Sequence, residues 1–126
     1  MQEDSRPVFL NLFQIRLPLP GIVSLAHRVS GVLLVLAMPL VLYLLMLSLR
    51  APDDFRSVLA WLHSPLFAIV LFCVLWSFWH HLFSGIRFLL LDVDIGLGRI
   101  ASWQSALVVL VAGLLAALLS LLGIIL

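Results

Sequence analysis

The chain has 126 residues, of which 64% are apolar and 10% charged, against roughly 45–50% and 25% in ordinary soluble domains. So short a chain, with a mean hydropathy of +1.26, cannot cover its surface with polar groups in water and belongs in a bilayer. Seven arginines, no lysine and six carboxylates leave a formal charge of +1, which excludes nucleic acid as a partner, while Cys73 as the sole cysteine excludes disulfide scaffolds, thiolate zinc sites and C-x-x-C-H cofactor attachment.

Residues 1–21 mix Glu3, Asp4, Arg6 and Arg16 with Phe9, Leu10, Leu12 and Phe13, then break at Pro18, Pro20 and Gly21. No charged end is followed by an apolar run and a small-residue cleavage site, so this reads as an interfacial arm and not a signal peptide. The first charge-free run, Val29–Leu49, has 21 residues; at 1.5 Å each they span about 32 Å, enough for a hydrocarbon core of roughly 30 Å. The first membrane helix is assigned to residues 22–49. At its inner end Ser24, His27, Arg28 and Gly31 share one face. Arg28 alone is ordinary, as an arginine reaching lipid headgroups. Together the hydroxyl, imidazole and guanidinium read as a polar pocket beside a glycine that leaves room for something bulky. Pro39, farther along, is a position where the helix can kink.

Residues 50–64 form the outer loop. Phe55, Val58, Leu59 and Leu62 recur at helical spacing with Arg56 opposite, the pattern of a short surface helix. Ser64-Pro65 supplies a capping residue and a first-turn proline, so the second membrane helix is assigned to 65–91. It carries His80-His81-Leu82-Phe83-Ser84-Gly85-Ile86-Arg87. Ionisable residues inside a span are expensive and point to function. His81 is expected to share a face with Ser77, Ser84 and Gly85, whose small side chains would admit a large flat group, and a neutral imidazole there suits haem iron. His80 points about 100° away. The residues alone leave open that these histidines only hydrogen-bond to neighbouring helices, as in a helical scaffold or transporter subunit without haem.

After an inner loop, 92–102, Ser102 is expected to cap the third membrane helix, 103–126. That helix has no ionisable side chain, and Ala112, Ala116 and Ser120, flanked by Gly113 and Ala117, form a packing stripe of small residues. The expected fold is all-α with three transmembrane helices. Arg6, Arg16, Arg28, Arg87 and Arg99 on one side, against Arg50 and Arg56 on the other, put the N-terminus inside and the C-terminus outside. Measured from Arg87 at the inner boundary, His81 lies about 9 Å deeper, whereas His27 adjoins Arg28 at that boundary. The two histidines are therefore expected at different depths, with any second axial ligand coming from another subunit.

An arm beginning Arg6-Pro7, then S-x-x-H-R-x-S-G over Ser24–Gly31, then H-x-x-x-G-I-R over His81–Arg87 followed by Asp92, resembles the cytochrome b membrane-anchor subunit of succinate dehydrogenase, respiratory complex II. The resemblance covers the whole chain. It implies a succinate:quinone oxidoreductase whose flavoprotein subunit oxidises succinate and whose iron–sulfur subunit passes electrons to ubiquinone at the anchor. A second small anchor subunit would share one haem b. Ser24 and Arg28 match the family's ubiquinone site, His81 its axial haem ligand, and His27 and Arg28 fall where the family approaches the haem propionates. Phe88 departs from the family's G-I-R-H. The implied location is a bacterial inner membrane. With no flavin or iron–sulfur motif, the chain alone could not oxidise succinate. The anchor of a quinol:fumarate reductase would use similar parts.

Overall fold

The computed structural model describes residues 16–126. Four helices follow in order: α1 (Leu19–Ser48), α2 (Pro52–Leu62), α3 (Pro65–Asp92) and α4 (Arg99–Ile125). Among the described residues there is no strand, and α1, α3 and α4 are each long and apolar enough to cross a membrane. The chain is an all-α membrane protein with three spanning helices. Their 30, 28 and 27 residues exceed the roughly 20 that a hydrocarbon core requires.

The helix ends are set by local chemistry that differs in places from the expected bounds. Residues 1–15 of the expected arm lie outside the described residues, and α1 begins at Leu19, not at 22. Pro20 stands in its first turn, where a missing N–H costs no helical bond, and the Pro18 carbonyl accepts from Gly21 N at 2.8 Å and Ile22 N at 3.1 Å. Pro18–Gly21 therefore starts the helix instead of breaking it. Pro39 lies within α1, which continues through it. Asp53 and Asp54 occupy the first turn of α2, where negative charge complements the helix dipole. Ser64 is the N-cap residue of α3, but its hydroxyl donates to the Trp61 carbonyl at 2.7 Å. That bond ties the start of α3 back to α2.

α3 ends in a Schellman turn. Ile95 N donates to Leu90 O at 2.9 Å and Asp94 N to Leu91 O at 3.1 Å, with Asp94 in the left-handed region at φ 63°, the conformation such a turn requires. Gly96, at φ 86°, completes the reversal, and α4 starts at Arg99 with Gly98 as its cap. The start expected at 103 is thus one turn late. Ser102 does not cap, because its carbonyl and hydroxyl both accept from Arg87 Nη2, at 3.1 and 3.0 Å.

α3 lies between α1 and α4 and packs most extensively on α4. Ala106, Val109, Gly113 and Ala117 are the buried face of α4. A Cβ on Gly113 would lie 3.3 Å from the His80 Cα, so the two backbones meet at that level. Ser120 is more than a small residue, since Trp79 Nε1 donates to its hydroxyl at 2.9 Å. The buried polar residues are Ser30, Ser77, His80, Ser84 and Arg87. Facing polar groups inward is the arrangement that a lipid exterior favours.

Candidate functional site

His27 on α1 and His81 on α3 meet face to face, with ring centroids 4.1 Å apart and planes 13° from parallel. Gly31 allows it: a Cβ there would lie 2.9 Å from His81 Cε1, closer than a side chain can approach. Gly85, one turn along α3, is less critical, since a Cβ there would make only an ordinary contact, 3.7 Å from His27 Nε2. The bulky neighbour that Gly31 admits is thus first of all the His81 ring.

This overturns the expected difference in depth. Arg87 is held inside the bundle, where only 5% of it is exposed and its Nε donates to Ser105 Oγ at 2.9 Å. α1 also begins two turns before His27, and α3 continues eleven residues past His81. Both histidines consequently lie inside the bundle at one level.

The Nδ1 of His81 is 3.1 Å from the His27 carbonyl oxygen and 3.3 Å from Ser30 Oγ. Its Nε2 makes no hydrogen bond among the described residues. His27 Nε2 is buried with no partner among them. Phe88, where the resemblance led to a histidine, packs edge to face on the His27 ring at 5.2 Å. It closes the inner side of the pair with an apolar ring.

The expected grouping of His81 with Ser77 and Ser84 is also corrected. Those serines belong with His80 in the buried row of α3. His80 has no exposed surface, bonds to Ser84 Oγ through Nε2 at 3.2 Å, stacks on Trp76 with centroids 5.1 Å apart, and is sealed by Gly113. His81 shares with Gly85 and Phe88 the side that meets His27 of α1. Burial in a three-helix contact separates two adjacent histidines that sequence could only place 100° apart.

Arg28 is exposed and Ser24 half-buried on α1, one turn apart. Arg28 lines an open groove of about 440 Å³ with Gly31, Val32, Val35 and Leu36, an apolar strip along α1. Among the described residues no three His, Cys, Asp or Glu side chains converge as a metal cage. An imidazole here can supply one ligand to a metal that arrives with others of its own.

The residues missed by sequence reasoning are Ser30, quoted within its motif without a role, and Ser102 and Ser105, which hold Arg87. A hydroxyl that bonds across helices has no periodic signature, so only three-dimensional packing reveals it.

Residues 2–121 match the family profile described as succinate dehydrogenase/fumarate reductase transmembrane subunit. The chain belongs to that family. It is 33% identical over 117 residues to the succinate dehydrogenase cytochrome b556 subunit of Coxiella burnetii, covering 89% of this chain and 94% of the relative. It is 32% identical over 97 residues to the protein of the same name from Paracoccus denitrificans, covering 77% and 75% respectively. The stacked histidine pair and the groove lined by Arg28 are therefore features of a cytochrome b type membrane subunit of succinate dehydrogenase, a multi-pass protein of an electron-transport complex.

Proposed function

We propose that this subunit anchors succinate dehydrogenase in a bacterial inner membrane, holds haem b through His81 Nε2 and forms part of the site where ubiquinone is reduced. The observation that carries the reading is the state of His81: Nδ1 is engaged by two oxygens, Nε2 is left without a hydrogen bond, and the ring fits between α1 and α3 because position 31 is glycine. The residues fit the group. A ligating nitrogen is available, and Arg28, with the unpartnered Nε2 of the His27 ring that stacks on His81, suits the propionates. Haem b, when bound, supplies a one-electron redox centre. His27 and His81 stack too closely to admit a macrocycle between them, so a second protein ligand to the haem would come from a second small anchor subunit.

Ser24 and Arg28 do the work at ubiquinone. The Ser24 hydroxyl donates a hydrogen bond to one carbonyl, and the Arg28 guanidinium stabilises the negative charge that builds on oxygen as electrons arrive from the iron–sulfur subunit. The flavoprotein subunit carries succinate oxidation. Both relatives bear the succinate dehydrogenase name, which favours this reading over the anchor of a quinol:fumarate reductase.

The test is optical. The assembled complex gives a reduced-minus-oxidised haem b spectrum, His81→Ala abolishes or alters its low-spin signal, and His80→Ala leaves that signal in the protein that assembles. The reverse pattern transfers the ligand to His80, and a colourless complex overturns the reading.

A further inference from the structure

We infer that Ser30, with the carbonyl of His27, fixes His81 in the tautomer that carries its proton on Nδ1, and that Ser30 is thereby a positioning residue for the Nε2 lone pair. The inference rests on the reading of His81 as a haem ligand. Ser30 has no exposed surface, and its hydroxyl lies 2.8 Å from the His27 carbonyl oxygen. A carbonyl only accepts, so the single hydroxyl proton is committed there. Toward His81 Nδ1, 3.3 Å away, Ser30 Oγ can then only accept. The other group at Nδ1, the same His27 carbonyl at 3.1 Å, can also only accept.

Two acceptors thus converge on one ring nitrogen. An unprotonated Nδ1 would face both with no proton in either of its two contacts. A neutral imidazole has one N–H and one lone pair, so a proton held at Nδ1 leaves the lone pair on Nε2. Acceptors at the far nitrogen also raise the basicity of the ligating one and lock the ring plane. Gly31, the next residue, lets the ring come within reach of both oxygens. A serine that bonds back to the carbonyl three residues earlier is a common helical habit; the lone pair it turns to a histidine of another helix is the added feature.

The test uses Ser30→Ala, which removes the hydroxyl and suits a helix, and Ser30→Cys, which keeps the volume with a poorer acceptor. In the assembled complex, haem content should persist while the midpoint potential and the low-spin g-values move in Ser30→Ala, with a smaller change of the same sign in Ser30→Cys. In the full chain in micelles without haem, nitrogen NMR of labelled histidine should show His81 protonated at Nδ1. Exchange of that proton should quicken about fivefold in Ser30→Ala, the factor that one neutral hydrogen bond is worth. If haem depends on His81 but potential, g-values and exchange all match the parent, Ser30 only bonds to its own helix and the inference falls. If haem survives His81→Ala, the reading of His81 as ligand has failed and the tuning falls with it; the NMR result then decides the tautomer, and a proton on Nε2 overturns that too.

Discussion

On the proposed reading, two residues on α1 act on quinone, Arg28 as a charged donor and Ser24 as a neutral one. Loss of one charge-assisted hydrogen bond is worth roughly 1.5–3 kcal/mol, or about one to two decades in rate when it forms only in the transition state. Arg28→Ala should therefore cut succinate:quinone reductase activity by about that much and Ser24→Ala by less. Succinate oxidation with a dye that takes electrons upstream should persist in both. If the two activities fall together in an intact complex, these residues do not act on quinone. Gly31 supplies a second prediction at this scale. A methyl there would stand 2.9 Å from His81 Cε1, so in Gly31→Ala the imidazole must turn away from the His27 carbonyl and Ser30. Gly113→Ala makes a comparable contact, 3.3 Å, but against the His80 backbone. Both should destabilise by about 1–3 kcal/mol, as overpacking does, yet only Gly31→Ala should disturb the haem spectrum. An unaltered spectrum in Gly31→Ala would break the link between the α1–α3 approach and the ligand.

At the scale of elements, Arg87 clamps the end of α3 to the start of α4. Arg87 reaches across with three hydrogen bonds, to Ser105 Oγ and to the hydroxyl and carbonyl of Ser102, and so fixes the first turns of α4 on the last turns of α3. Arg87→Leu keeps an apolar stem but strands those acceptors, and should lower stability by at least roughly 1.5–3 kcal/mol, the value of a single charged bond. Thermal unfolding in detergent, with Arg99→Leu as a control on the same loop, separates clamp from bulk charge; equal effects would deny the clamp. The same residue shows how far sequence reading extends. The three spans were legible because charge-free runs of more than twenty residues have no soluble alternative, and the Ser64-Pro65 boundary because serine and proline have defined first-turn chemistry. The start of α4 was not, because Ser102 looks like a cap until Arg87 is seen to occupy its oxygens. The residues of the histidine site were visible as a motif. Their common depth was not, because it depends on how far α1 and α3 extend past them, and the sorting of His80 from His81 depends on which helix covers each.

For the whole molecule, the remaining question is which way the bundle faces. The start of α1 and the start of α4 lie at one end, since Pro18 and Pro20 line a single cleft with Arg99, Ser102 and Trp103. Arg16 and Arg99 flank that end, while Arg50 and Arg56 flank the other, paired with Asp54 at 4.0 Å and Asp53 at 3.7 Å. Acidic neighbours count little for orientation, which follows arginines within a short distance of the spans. Arg87 is hydrogen-bonded inside the bundle, and without it the tally among the described residues still favours the end of Arg16, Arg28 and Arg99 over that of Arg50 and Arg56. That end should face the cytoplasm, which also turns the inner ends of α1 and α3, with the histidine site, toward the side where electrons arrive. Three crossings then carry Leu126 to the outer side. A reporter that works only after export, fused after Leu126, should be active, and a fluorescent reporter that matures only in the cytoplasm should stay dark. Added arginines in the 50–64 loop should erode this preference by opposing the existing bias. Cytoplasmic fluorescence from the Leu126 fusion of the unaltered chain would reverse the orientation, and with it the side from which Ser24 and Arg28 receive electrons.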